Sequence, residues 1–100
     1  MAYKDEYHPK VKSDFKKTDR AAVRDFADVH IERILHNPYG AEKLHGILKD
    51  VFSYHFKKNR VEYRVAYAVD EAKRVVYMIM VGKRENFYEI LKRRLSGSGM

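Results

Sequence analysis

Along the chain the spacing of apolar residues passes from a helical period to a strand period and back. Residues 3–7, "YKDEY", alternate weakly and read as an edge strand. Pro9 suits the first position of a short helix, where its missing N–H would have no partner anyway, and Val11 and Phe15 lie one turn apart on that helix. Asp19 is placed to cap a longer helix in which Val23, Phe26, Ala27, His30, Ile31, Ile34 and Leu35 share one apolar face. "NPYG" at 37–40 stops it, so the first half reads as a helical hairpin.

From Val51 the period is two. Phe52, Tyr54 and Phe56 alternate with Ser53, His55 and Lys57, and Tyr63, Val65, Tyr67 and Val69 alternate with Arg64, Ala66 and Ala68. "DEAK" at 70–73 is short enough to turn the chain back into "RVVYMIMV" at 74–81. That run is apolar on both faces, so it is expected as a central strand covered on both sides. The hairpin supplies one cover. The other is a last helix carrying Phe87, Ile90, Leu91 and Leu95 as a stripe, with Lys92, Arg93 and Arg94 near its C-terminus, where cations favour the helix dipole. Gly46 reads as the pivot of a tight turn and Gly82 as a bend or a close approach of backbone. The expected fold is α+β in the order β-α-α-β-β-β-α, a small antiparallel-rich sheet with the hairpin on one face and a C-terminal helix.

A chain of 100 residues suits one compact domain, assigned to residues 1–95. "SGSGM" at 96–100 is set apart as a flexible tail of the kind an expression vector adds. With no cysteine, neither a disulfide framework nor a thiolate zinc site is available, and a reducing cytoplasm is the expected compartment. The longest apolar runs fall far short of the roughly 20 residues of a membrane span, and neither an export signal nor a membrane partner is expected. The 21 Lys and Arg against 14 Asp and Glu give a net charge of +7, which favours nucleic acid, an anionic surface or an acidic protein as partner. None of the five histidines sits four residues from another with an acid between, so no metal and no cofactor is expected.

Arg64 inside an apolar strand and Arg84 just after another call for an explanation. If Phe56 stands opposite Tyr63 in an antiparallel hairpin, His55 stands opposite Arg64, with Cβ atoms about 5 Å apart. A slip of two residues would keep the face and separate the pair. Histidine is the side chain that most readily moves a proton near neutrality, and arginine stays charged and grips phosphate through paired hydrogen bonds. Such a face fits cleavage of RNA by its own 2′-hydroxyl, which needs proton transfer and fixed cations at the phosphate oxygens. Plainer readings exist for the same residues. Arg64 could pair with Glu62 and blunt the sheet, Tyr88 could pack beside Leu91 and Leu95, and His30 reads as a hydrogen-bonded core histidine. His8, His36 and His45 read as loop or cap residues.

The element order, together with "KLHG" at 43–46, "YRVAYAVD" at 63–70, "VGKREN" at 81–86 and "FYEILKRRL" at 87–95, resembles the RelE/ParE toxin superfamily. The likeness extends to "HPKVKSDFKKTD" at 8–19. It implies a small cytoplasmic toxin of the RelE type, a metal-independent endoribonuclease that cuts mRNA in the ribosomal A site and is held inactive by a cognate antitoxin. Operator DNA would be reached only through the antitoxin complex. Carried over residue by residue, the resemblance puts the family's arginines on Arg64 and Arg84 and its last-helix tyrosine on Tyr88. Where the RelE pattern has two alternating lysines, this chain has Ser53 and His55, which leaves His55 as the candidate proton carrier. Lys57, Lys58 and Lys83 are candidate RNA contacts beside Ser53. Two rival expectations share the fold: a ParE-like, non-enzymatic toxin acting on DNA gyrase, and a catalytically silent homologue that binds only antitoxin or nucleic acid.

Overall fold

The computed structural model describes residues 2–98, with side chains described through residue 96. Strand β1 (Lys4–Tyr7) leads through a turn into helix α1 (Val11–Lys17). Helices α2 (Arg20–Asp25) and α3 (Ile31–His36) are joined without a break by one π-helical turn, Phe26–His30. A short strand β2 (Glu42–Lys43) follows, then β3 (Phe52–Lys58), β4 (Val61–Asp70), β5 (Val75–Lys83) and helix α4 (Phe87–Ser98). The expected α+β order is present, with β2 added. The sheet runs β1-β5-β4-β3-β2, antiparallel except for the β1–β5 pair. No helix among the described residues is long and apolar enough to cross a membrane.

Pro9 is not the first residue of α1. It occupies the second position of a turn closed by the Val11 N–H donating to the His8 carbonyl at 2.9 Å, where its fixed φ is equally at home. Asp19 precedes α2 as expected, but its carboxylate makes no capping hydrogen bond. The buried residues of the long helix are Ala22, Phe26, His30 and Ile34, every fourth position, while Ala27 is exposed. A regular α-helix would rotate such a series off its face. The π turn, in which the Ile31 N–H reaches the Phe26 carbonyl, corrects the drift and returns His30 and Ile34 to the sheet.

β4, not β5, is the middle strand of five. The two faces of the sheet bury separate cores. Tyr63, Val65 and Tyr67 of β4 meet Val11, Phe26 and Ile34 of the helical hairpin on one side. Ala66 meets Phe87 and Leu91 of α4 on the other. A bulge lets β5 serve both: Met80 pairs with Ala66 and Met78 with Tyr67, leaving Ile79 without an opposite residue. Ile79 and Met80 therefore both lie in the α4 core, while Met78 and Val81 lie in the hairpin core. In α4 the stripe is Phe87 and Leu91 with Tyr88 and Leu95 beside it; Ile90, expected within it, is 37% exposed. The helix also runs to Ser98, into the stretch whose composition reads as a tail; Gly99 and Met100 of that stretch lie outside the described residues.

β1 covers the edge of β5 only as far as Met78. Beyond it, the edge is satisfied by side chains brought from both ends of the chain. The Val81 N–H donates to Asp14 Oδ2 at 3.0 Å, and the Ile79 carbonyl accepts from Arg94 Nη1 at 2.9 Å. Arg94 also forks onto Asp14, at 2.7 and 2.8 Å. Arg94 is thus not a solvated cation of the helix end but a buried clasp between α4, α1 and the bulge.

Candidate functional site

Ser53, His55 and Lys57 of β3 share a sheet face with Glu62 and Arg64 of β4 because strand residues two apart point the same way. The register pairs His55 with Arg64 directly, as expected from the hairpin, and sets Lys57 opposite Glu62. The same pairing puts Phe56 and Tyr63 together on the buried face, their rings stacked with centroids 5.4 Å apart. Any odd slip would expose those rings, so the hydrophobic core holds the polar face in register.

The two arginines converge. Arg64 Nη2 lies 3.4 Å from Glu62 Oε2, and Arg84 Nη1 lies 3.8 Å from Glu62 Oε1. Backbone geometry supports the approach: the Arg84 N–H donates to the Glu62 carbonyl at 3.1 Å, holding the end of β5 against the start of β4. Arg64 is only 15% exposed, whereas Arg84 is 68% exposed and free to swing toward a ligand. Among the described residues Arg64 Nε is buried with no hydrogen-bond partner. A buried guanidinium with an open donor is costly unless something completes it.

Tyr88 joins the group from α4. Arg64 lies over its ring, with Cζ 5.1 Å from the centroid, and its hydroxyl donates to Ser53 Oγ at 3.2 Å. Ser53 is 1% exposed. Its Oγ also lies 3.1 Å from His55 Nε2, which is itself 3.4 Å from Glu42 Oε1 of β2. Nε2 faces Ser53 and Glu42, which leaves Nδ1 as the ring nitrogen engaged by neither. The histidine is held by a neighbour on its own strand, and a carboxylate stands ready to balance the imidazolium. Tyr88 thus both packs against the α4 core and carries a hydroxyl into the polar face.

Two open clefts flank these residues. One, of about 370 Å³, is lined by Lys57, Arg60, Lys83 and Arg84 together with Glu62 and Glu85. The other, of about 430 Å³, is lined by Glu42, His45, Ile47, Tyr88 and Lys92 among others. Lys83 stands on the rim of the first and also borders a groove on the hairpin side. Lys58 does not join the site: it points to the hairpin face, where Nζ lies 3.4 Å from Asp25 Oδ1. Gly46 has the left-handed φ of +67° that its turn requires, but Gly82 does not, and an added Cβ there would make only ordinary contacts.

His30 and His36 are engaged elsewhere. His30 Nδ1 lies 2.7 Å from the Tyr54 hydroxyl and its ring stacks on Phe56; burial lowers its pKa and keeps it neutral. His36 lies 3.1 Å from Glu32 on the exposed side of α3. Two residues escaped the sequence reading. Glu62 appeared there only as a partner for Arg64, and Glu42 did not appear at all, because a two-residue strand has no period to detect.

A family model for the ParE-like toxin of type II bacterial toxin–antitoxin systems matches residues 6–92. A comparison with curated proteins finds no match. Among solved structures, the chain is similar to the E. coli toxin RelE in its free state, a double-arginine mutant, with 29% identity and a TM-score of 0.70 over 93% of this chain and 98% of that one. It is also similar to a chain of the intact E. coli RelBE toxin–antitoxin complex, with 28% identity and a TM-score of 0.67 over 84% and 99% of the two chains. A chain of the RelBE2 toxin–antitoxin complex of Mycobacterium tuberculosis shares the fold at 24% identity, with a TM-score of 0.66 over 84% of this chain and all of that one.

Proposed function

The chain belongs to the ParE-like toxin family of type II bacterial toxin–antitoxin systems, and we propose that it is the endoribonuclease toxin of such a pair, cleaving mRNA on the ribosome. The observation that carries this reading is the convergence of Arg64 and Arg84 on one carboxylate beside His55, Ser53 and Tyr88. A carboxylate held between two guanidiniums occupies the kind of place a phosphodiester would take. The likeness to RelE, rather than to the fold alone, supports the same reading.

In the proposed reaction Arg64 and Arg84 bind the non-bridging oxygens of the scissile phosphate and stabilise the charge that grows on them. His55 Nδ1 takes the proton of the 2′-hydroxyl as its oxygen bonds to phosphorus. The bond from phosphorus to the 5′-oxygen breaks, that oxygen takes a proton from solvent, and the products carry a 2′,3′-cyclic phosphate and a 5′-hydroxyl. Glu42 faces the imidazolium formed at His55, and Ser53 fixes the ring. Tyr88 holds Ser53 through its hydroxyl and shields Arg64 from water with its ring. Lys57 and Lys83 bind neighbouring phosphates. The chain needs neither metal nor cofactor for these steps, and residues 1–95 act as one domain in the cytoplasm.

The partner is an antitoxin, in keeping with the complexes formed by the RelE relatives. Acidic segments suit a surface of net charge +7. The test is purified protein added to ribosomes programmed with a defined mRNA. Wild type should release a fragment ending in a cyclic phosphate, and folded Arg64→Ala should release none. Intact mRNA with wild type would overturn the proposal.

A further inference from the structure

The β3–β4 connection, "NR" at 59–60, is a two-residue hairpin turn in which both residues are left-handed: Asn59 has φ +52° and Arg60 has φ +69°. Turns of this type strongly favour glycine at the second central position, with asparagine well tolerated at the first. Asn59 fits. Arg60 does not, since its Cβ crowds the backbone in this conformation. A strained residue held at a cleft is a reason to look for a ligand.

Arg60 lines the 370 Å³ cleft with Lys57, Lys83 and Arg84. Four cations face two carboxylates there, and one of the two, Glu62, is already shared between Arg64 and Arg84. We infer that Arg60 is an RNA-backbone contact: the cleft is a second phosphate subsite, and Arg60 clamps the phosphate adjacent to the scissile one. This rests on the ribonuclease reading above.

Strain and binding pull in opposite directions, which makes the inference sharp. Arg60→Gly should raise the melting temperature by about 3 °C, because glycine adopts the turn without crowding. The same variant should bind a fluorescent single-stranded RNA oligonucleotide several-fold more weakly, with the salt dependence of log K reduced by about 0.7 for one lost phosphate. Arg60→Lys keeps the charge and the strain, so it should retain most of the salt slope and the wild-type melting temperature. If wild type and Arg60→Gly bind with equal affinity and equal slope, Arg60 is no phosphate contact. If wild type binds no RNA at all, the phosphate subsite falls, while the ribonuclease reading stands or falls separately on cleavage in programmed ribosomes.

Discussion

Removing Asp14 should nearly unfold the protein, although it lies in the first helix and far in sequence from every residue of the site. Its carboxylate is 11% exposed and faces the 9% exposed Arg94, with hydrogen bonds of 2.7 and 2.8 Å from the two guanidinium nitrogens. Asp14→Ala leaves that cation buried with only the Ile79 carbonyl, and strips the Val81 N–H of its acceptor. Breaking a buried pair from one side costs about 3–5 kcal/mol, a large share of the roughly 5–15 kcal/mol that holds a domain of this size. At about 4–8 °C per kcal/mol, the melting temperature should fall by about 15 °C or more. Urea unfolding should show the loss in the midpoint with an unchanged slope. Asp14→Asn, which keeps an acceptor for Val81, should cost less. The double variant Asp14→Ala/Arg94→Met should be more stable than Asp14→Ala alone, because no buried charge remains. An Asp14→Ala protein within about 1 kcal/mol of wild type would refute the reasoning, since such a small loss belongs to exposed pairs.

Other expectations follow from the same geometry. Tyr88→Phe keeps the ring over Arg64 but loses the hydrogen bond to Ser53. Ribosomal cleavage should fall about fivefold for roughly 1 kcal/mol of lost ordering, with little change in melting temperature; a wild-type rate would show that the hydroxyl is idle. His55→Ala should lower the cleavage rate by about 10²-fold or more and remove its decline on acidification; a pH profile parallel to wild type would move proton transfer to another group. Glu71 is held well below the usual carboxylate range, to about 2, by the hydroxyls of Tyr3 and Tyr39 at 2.6 Å each and by Arg74. A depressed folded value means its contribution is present above the ordinary carboxylate range and is lost as pH falls from there toward 2. Acid melting curves of Glu71→Gln should therefore lack part of the wild-type decline in that window, and superimposable curves would contradict the clasp.

The sequence made the polar face of the sheet legible because alternation fixes which residues share a face. His55 and Arg64 could be paired from the single assumption that Phe56 meets Tyr63. The convergence of Arg84 was not legible from period alone, since it depends on how the end of β5 is tied to Glu62. Irregularities hid as well. The bulge at Ile79 leaves no mark in "VVYMIMV", where every residue is apolar or aromatic and either face would accept it. The π turn at Phe26–His30 keeps Phe26, His30 and Ile34 on the buried face while Ala27 is exposed, a narrowing that the apolar pattern does not reveal. Arg94 looked like an ordinary helix-end cation because its partner, Asp14, is 80 residues away in sequence. Lys58, expected beside the RNA contacts, lies with Phe56 on the hairpin side, where strand parity puts it.

The central claim is tested most directly by mapping transcript 3′ ends in cells after induction of the protein without its antitoxin. New ends within translated codons, present with wild type and absent with folded Arg84→Ala, are the predicted result. Intact transcripts accompanied by DNA damage would contradict it and point instead to a gyrase-directed toxin on the same fold.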